Sequence, residues 1–375
     1  MLKKAKLEDI EILRGVAFLA VVLQHVIAGV FYQPGVTPAA MVMGTTFLGL
    51  TRFAVPLFVF ITGLVLFYNY DGKLNYVSFL RKRFYQVVLP YLTWTLFYYV
   101  WVSFLSGVAP STTWNELLNL IKVSLTGKAS YHLWFMVMII PFYLLFPLFR
   151  VLISKDRKGS TNLIVVLAFW GVNLLLVYGL SKGLITSDTR QLGFIFDYLD
   201  RNFLFWIFYF LLGGLAGLYY EVWKKFINKS KYIGIAVLLV CFYPIVNQIL
   251  HINRGATDNR YLFSANVTAP LKPLMLVTIT IMILLVFSVV MRISHRQTKI
   301  TKLLYLFGKY SFGTYLIHAF VLRFTNHLAV DYLSMLDVFS QSVVSFVLCS
   351  SISLFLTIWL SKMKITVGEI WVGKV

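Results

Sequence analysis

Charge is scarce in this chain. Asp, Glu, Lys and Arg make up 13% of its 375 residues, and only 14 residues are acidic. A soluble domain of this length carries about twice that share of charge. Cysteine is nearly missing as well. Cys241 and Cys349 are the whole complement, and both fall in apolar runs, which excludes a disulfide framework. No Gly-x-x-x-x-Gly-Lys-Ser/Thr loop is present to cradle a nucleotide phosphate. No His/Cys/Asp/Glu group has metal-ligand spacing, and His251, His295 and His327 fall in predicted loops. The sequence shows no internal repeat of the kind that marks many transporters.

What is present is hydrophobic: 59% of the residues, gathered in long continuous runs. Runs of about 20 apolar residues mark transmembrane helices, and the bilayer forces such segments to be helical. The runs do not alternate, which excludes a barrel. The expectation is an all-α polytopic bundle of about ten spans: 10–32, 41–68, 84–106, 131–150, 162–181, 203–221, 232–250, 271–291, 303–324 and 340–361. These form one integral-membrane domain over 1–375, with no appended soluble domain.

The net charge of +20 follows the same topology. Lys3/Lys4/Lys6, Lys73/Arg81/Lys82/Arg83, Arg150/Lys155/Arg157/Lys158, Lys224/Lys225/Lys229/Lys231, Arg292/Arg296/Lys299/Lys302 and Lys362/Lys364/Lys374 occupy alternate connections. The connections between them are poorer in bases, and the later ones hold Asp188, Asp197, Asp200, Asp258, Asp331 and Asp337. By the positive-inside rule both termini are expected in the cytoplasm. The basic excess therefore faces the bilayer surface, and nothing points to nucleic acid. The first apolar run lacks a convincing small-residue cleavage site, so it is expected to be retained as a span.

Ionisable groups inside spans carry the functional signal. Arg14 and His25 lie eleven residues apart, on one helical face, with an axial separation of about 16.5 Å. Glu11 precedes Arg14 by three residues and can partner its guanidinium. Two readings fit each residue. Arg14 is a snorkelling interface anchor or an anion clamp. His25 is an interhelical hydrogen-bonding group or a general base, since a neutral imidazole accepts a proton near pH 7. The separation matches an extended pantetheine arm. A cation at Arg14 could thus hold the phosphates of coenzyme A while the thioester reaches His25.

The motifs sharpen this choice. "IEILRGVAFLAVVLQH" resembles the first-helix signature of the integral-membrane acyltransferase-3 family, an Arg, ten residues, then a His. "VPLFVFITG" (55–63) resembles its second-helix motif, with Thr62-Gly63 where Ser-Gly is usual. "FLRKRFYQVVLPY" (79–91), "HLWFMVMIIPFYLLFPL" (132–148), "FYFLLGGLAG" (208–217) and "GKYSFGTYLIH" (308–318) resemble further family elements in order. Intercellular adhesion C-type proteins look like distant relatives. The resemblance implies a multi-pass protein of a bacterial plasma membrane. It implies transfer of an acyl group, most often acetyl, from acyl-CoA to a hydroxyl of an extracytoplasmic glycan or glycolipid, with no metal. His25 and Arg14 become catalytic candidates, and Arg14, Arg81 and Arg83 become coenzyme A contacts.

Other residues keep two readings. Arg81 and Arg83 satisfy the orientation rule unaided, and in a helix they point about 200° apart, so one at a time faces the pore. Ser311, Tyr315 and His318 share one stripe, yet Ser311 and His318 lie about 10.5 Å apart along it, too far for a Ser–His pair. Tyr315 is assigned to packing and His318 to pore lining. His132 and Trp134 open the fourth span at its outer end, where Trp is normal for the aromatic belt or serves as a sugar platform. Arg52 falls in the outer half of the second span, where it snorkels or lines the acceptor entrance. The rival class is a transporter or flippase of a polysaccharide or glycolipid intermediate, which has no evident need for a base one arm's length beyond an anion clamp.

Overall fold

A computed structural model describes residues 7–31, 33, 36–107, 113–185, 198–254, 266–363 and 365–373. Lys3, Lys4, Lys6, Asp188, Asp197, Asp258, Lys364 and Lys374 lie outside these residues. Among the described residues the chain is helical throughout, with no strand. Among the described residues, seven helices are long and apolar enough to cross a membrane, or eight if one bent pair counts as a single span.

The first span is α1, Glu8–Val30. Glu8, Asp9 and Glu11 crowd its first turn, where negative charge complements the exposed N–H groups. The second span is two helices, α2 (Pro38–Thr51) and α3 (Ala54–Asn69), broken at Arg52 and Phe53. The Gln24 side chain of α1 donates to the Thr51 carbonyl at this break, so the interruption is stitched to the first helix one residue from His25. The third span runs from α4 (Tyr76–Arg83) through a π-helical turn at Phe84–Val88 into α5 (Leu89–Leu105). An outer helix, α6 (Trp114–Thr126), follows.

The expected fourth span is α7 (Trp134–Leu144) and α8 (Phe146–Leu152), bent by 62°. Pro147, in the first turn of α8, accounts for the break: it has no N–H to donate to the Tyr143 carbonyl four residues back, and its ring crowds that carbonyl. Next come α9 (Gly159–Ser181), α10 (Ile207–Leu218), α11 (Tyr220–Arg254) and α12 (Pro273–Ser294). The sequence draws 203–221 as a full span. Here a 3₁₀ turn at Phe203–Trp206 leads into α10, and the apolar helix ends at Leu218. The expected span 303–324 is likewise divided, into α13 (Lys299–Lys309) and α14 (Ser311–His327), with Tyr310 between them. Last are α15 (Val338–Ser361) and the short α16 (Ile365–Val372).

Two close helix pairs organise the bundle, α3 with α10 and α1 with α13. Without a strong hydrophobic drive between helices in lipid, small residues that let backbones approach supply the packing. A Cβ on Gly213 would stand 1.9 Å from the Phe60 carbonyl oxygen, and one on Gly63 would stand 2.0 Å from that of Phe210. The glycines of two of the quoted motifs are thus partners in one seam. In the other pair, a Cβ on Gly308 would stand 1.6 Å from the Glu11 carbonyl oxygen.

The connections sort into two ends. Lys155 pairs with Asp71 at 2.9 Å and Arg150 donates to the Gly72 carbonyl at 2.5 Å, joining two of the basic connections. Tyr220 donates to Asp9, joining the start of α1 to a third. At the other end Arg201 donates to the Thr126 carbonyl, joining two of the poorer ones.

Candidate active site

Two cavities flank a wall of buried rings, and both are bordered by α1 and α14. The inner cavity, about 360 Å³, is lined by Glu11 and Arg14 of α1, Arg83 and Gln86 of the third span, and Lys309, Tyr310, Ser311 and Tyr315 around the α13–α14 break. Arg14 donates to both Glu11 carboxylate oxygens, at 3.1 and 3.2 Å, as the three-residue spacing implies. That pairing holds the guanidinium in place at the cavity wall. Arg83 lies over the rings of Phe79 and Tyr143, 5.3 Å from each centroid, and donates to Gln86 at 3.3 Å. Three cations thus meet one carboxylate, so the lining is positive overall and suited to phosphate oxygens.

The third span resolves a choice that the sequence leaves open. Arg83 lines the cavity, whereas Arg81 is exposed and does not. The π turn starts at the next residue and carries Gln86 and Val87 into the same wall. Such turns recur at functional sites because they re-aim side chains without ending the helix. Lys309 goes unremarked in the sequence reading. Its signal was the polar "GKYS" inside an apolar run, where the helix breaks.

The outer cavity, about 620 Å³, is lined by His25, Ala28 and Gly29 of α1, Tyr98 and Trp101 of α5, the loop Lys128–Tyr131, and the α14 stripe Ala319, Leu322, Arg323 and Asn326. No residue lines both cavities. Between them stand Tyr315, His132 and His318. The His25 and His318 rings stack with centroids 5.4 Å apart, and His132 meets His318 edge-on at 4.9 Å. Tyr315 lies 5.3 Å from His132 and donates to its backbone carbonyl. On its other side His25 meets Tyr131 at 4.7 Å.

His318 is fully buried, and its Nδ1 lies 2.5 Å from the Tyr315 carbonyl. A carbonyl only accepts, so Nδ1 carries the hydrogen and Nε2 of the neutral ring holds the lone pair. That Nε2, like the Nε2 of His132, has no hydrogen-bond partner among the described residues. Three imidazoles, from α1, α14 and the turn before α7, therefore converge on the wall, and two of them keep a nitrogen with no partner among the described residues. Three distant sequence positions, 25, 132 and 318, meet here.

The remaining candidates are placed elsewhere. Ser311 lines the inner cavity, one turn from Tyr315. His132 is buried in the wall, away from the outer rim that its place in the sequence suggested. Trp134 packs at a tilt against Trp206, with centroids 5.8 Å apart, and lines neither cavity. Arg52 sits at the break in the second span, with Nε 3.5 Å from the Thr268 hydroxyl. No group of three or more potential metal ligands occurs among the described residues.

The multi-span helical bundle sets a cation-lined cavity that can hold an anion beside imidazoles that can move a proton, the elements that group transfer within a membrane requires. The chain belongs to the acyltransferase-3 family: the model of that acyltransferase domain matches residues 7–362. Similar proteins include the "Putative membrane-bound acyltransferase YfiQ" of Bacillus subtilis (strain 168), 23% identical over 99% of this chain and 95% of the relative. Another is the "Probable poly-beta-1,6-N-acetyl-D-glucosamine export protein" of Staphylococcus aureus (strain MSSA476), 23% identical over 86% of this chain and 83% of the relative. No solved structure matches. The protein is a multi-pass bacterial membrane acyltransferase for groups other than aminoacyl groups.

Proposed function

We propose that this chain moves an acyl group, acetyl in the first instance, from cytoplasmic acyl-CoA to a hydroxyl of an extracytoplasmic glycan or glycolipid. Both termini and the inner cavity face the cytoplasm in this reading. Arg14 and Arg83, with Lys309 beside them, bind the phosphates of coenzyme A. The pantetheine arm runs along α1 toward the wall. His25 takes the proton of the acceptor hydroxyl as that oxygen attacks the thioester carbonyl, and coenzyme A departs as the thiol after protonation. His318 is a positioning residue: its fixed tautomer and stacked ring hold the His25 imidazole.

The observation that carries this reading is the order of groups along α1. An anion clamp at Arg14 lines one cavity, and an imidazole at His25 lines the other. Their axial separation is about 16.5 Å, the reach of a pantetheine arm. The ring wall must open for the thioester to pass, and Tyr315 stands on the inner cavity side of it.

One observation favours a second reading. The Staphylococcus aureus relatives are named for export, which suits a flippase of glycan intermediates. Purified protein with labelled acetyl-CoA and a glycan acceptor separates the two. Transfer of label to glycan, abolished in His25→Ala while membrane insertion is unchanged, is the expected result. Glycan movement across vesicles with no thioester turnover would refute acyl transfer, and wild-type rates in His25→Ala would remove that residue from the chemistry.

A further inference from the structure

We propose that the acceptor bound in the outer cavity is anionic, carrying a phosphate or carboxylate close to the acylated sugar, with Lys128 and Arg323 as its counter-charges. The inference rests on the acyl-transfer reading and names the substrate class of its acceptor side. Lys128 and Arg323 both line this cavity, and among the described residues no Asp or Glu does.

The helix geometry directs Arg323 there. Ala319, Leu322, Arg323 and Asn326 follow the i, i+3, i+4, i+7 pattern of one helical face. That face meets the stripe His25, Ala28 and Gly29 of α1 across the cavity. The guanidinium is therefore presented to the same space as the imidazole.

Among the described residues, three acids of the base-poor connections are engaged elsewhere. Asp331 pairs with His327 beyond the end of the stripe, Asp200 with Arg201, and Glu116 accepts from Tyr99. The Lys128 ammonium rests over the Tyr198 ring, 4.7 Å from its centroid, and no carboxylate among the described residues pairs with it. Topology does not account for the two cations. They lie at the end of the bundle opposite the basic connections, where the orientation rule favours few bases. Trp101 and Phe320, 5.1 Å apart, complete the wall with flat apolar surface for a sugar ring or a lipid carrier.

The charge can reside on the glycan or on its lipid carrier. Two matched acceptor pairs distinguish these sources: a short oligosaccharide with and without one phosphate monoester, and a sugar linked to a prenyl phosphate or to the prenyl alcohol. Steady-state transfer from labelled acetyl-CoA is expected to favour the charged member of one pair. Arg323→Ala and Lys128→Ala should each raise its acceptor KM by about two- to fivefold, since both side chains are exposed and solvent screens their contacts with an anion. The charged-to-neutral preference should shrink in step, while Arg323→Lys keeps most of it. The neutral acceptor reports whether each variant is folded. Equal use of both members in both pairs, or a preference untouched by the alanine variants, would overturn the proposal and leave acyl transfer standing. No transfer to any acceptor overturns both.

Discussion

Gly308→Ala tests the link between packing and the inner cavity. Gly308 lies in the last turn of α13 and also lines that cavity. A Cβ there would stand 1.6 Å from the Glu11 carbonyl oxygen and 3.1 Å from the Glu11 Cα. Cβ contacts below 3.0 Å are essentially never seen, so the helices must part by about 1.4 Å, and a close-packed interior has no slack to absorb it. Both contacting atoms are backbone, so no rotamer change relieves the clash. Overpacking of this kind costs about 1–3 kcal/mol, which a folded bundle survives with a lowered melting temperature. Function should suffer more. Glu11 anchors Arg14 to the cavity, and a misplacement of about 1 Å at a reacting site can cost 10²-fold in rate. The assay pairs thermal melting in detergent with initial rates of acyl transfer. Gly171→Ala is the control: a Cβ there meets nothing within 4 Å, and alanine is the better helix former. Wild-type rate and melting temperature in Gly308→Ala would refute the reasoning.

Arg83→Ala should raise the donor KM by about 10- to 100-fold, the worth of one charge-assisted phosphate contact, whereas exposed Arg81→Ala should change it by less than about twofold. Equal effects in the two variants would place the donor elsewhere. Asp337 caps α15, accepting from the Phe339 and Ser340 backbones at 2.9 and 3.1 Å. The Ser340 hydroxyl, donating at 2.6 Å, leads in holding its carboxyl below the usual carboxylate range. A depressed folded value stabilises above the unfolded pKa and is lost as pH falls through the folded one. Melting of wild type and Asp337→Ala should therefore differ near neutrality and converge in acid; a constant gap would show that the charge is irrelevant.

Periodicity along single segments carried much of the site. Helical spacing alone places Glu11 against Arg14 and sets His25 three turns beyond. It also states that Arg81 and Arg83 diverge, but not which one turns inward. That depends on how α4 docks and on the π turn after it, a deviation of one residue that hydropathy does not register. The span 303–324 reads as continuous because its mean character is apolar. The break at Tyr310 follows from the tight α1–α13 seam on one side and the contacts of α14 on the other. His132 reads as an interface residue because its position along the chain gives depth and no lateral neighbour.

By itself the sequence determined that the chain is a helical membrane bundle, because burying backbone in lipid leaves few alternatives. It also determined the order of acid, cation and imidazole along the first helix, because a helix fixes rise and rotation per residue. Only the tertiary structure decided that His132 and His318 join His25, that Arg83 and Lys309 join Arg14, and that a wall of rings divides the Arg14 cavity from the His25 cavity. Those contacts join residues up to some 290 positions apart. They arise from interhelical packing, which depends on backbone approach at particular glycines and on helix breaks, and neither is visible in the periodicity of one segment.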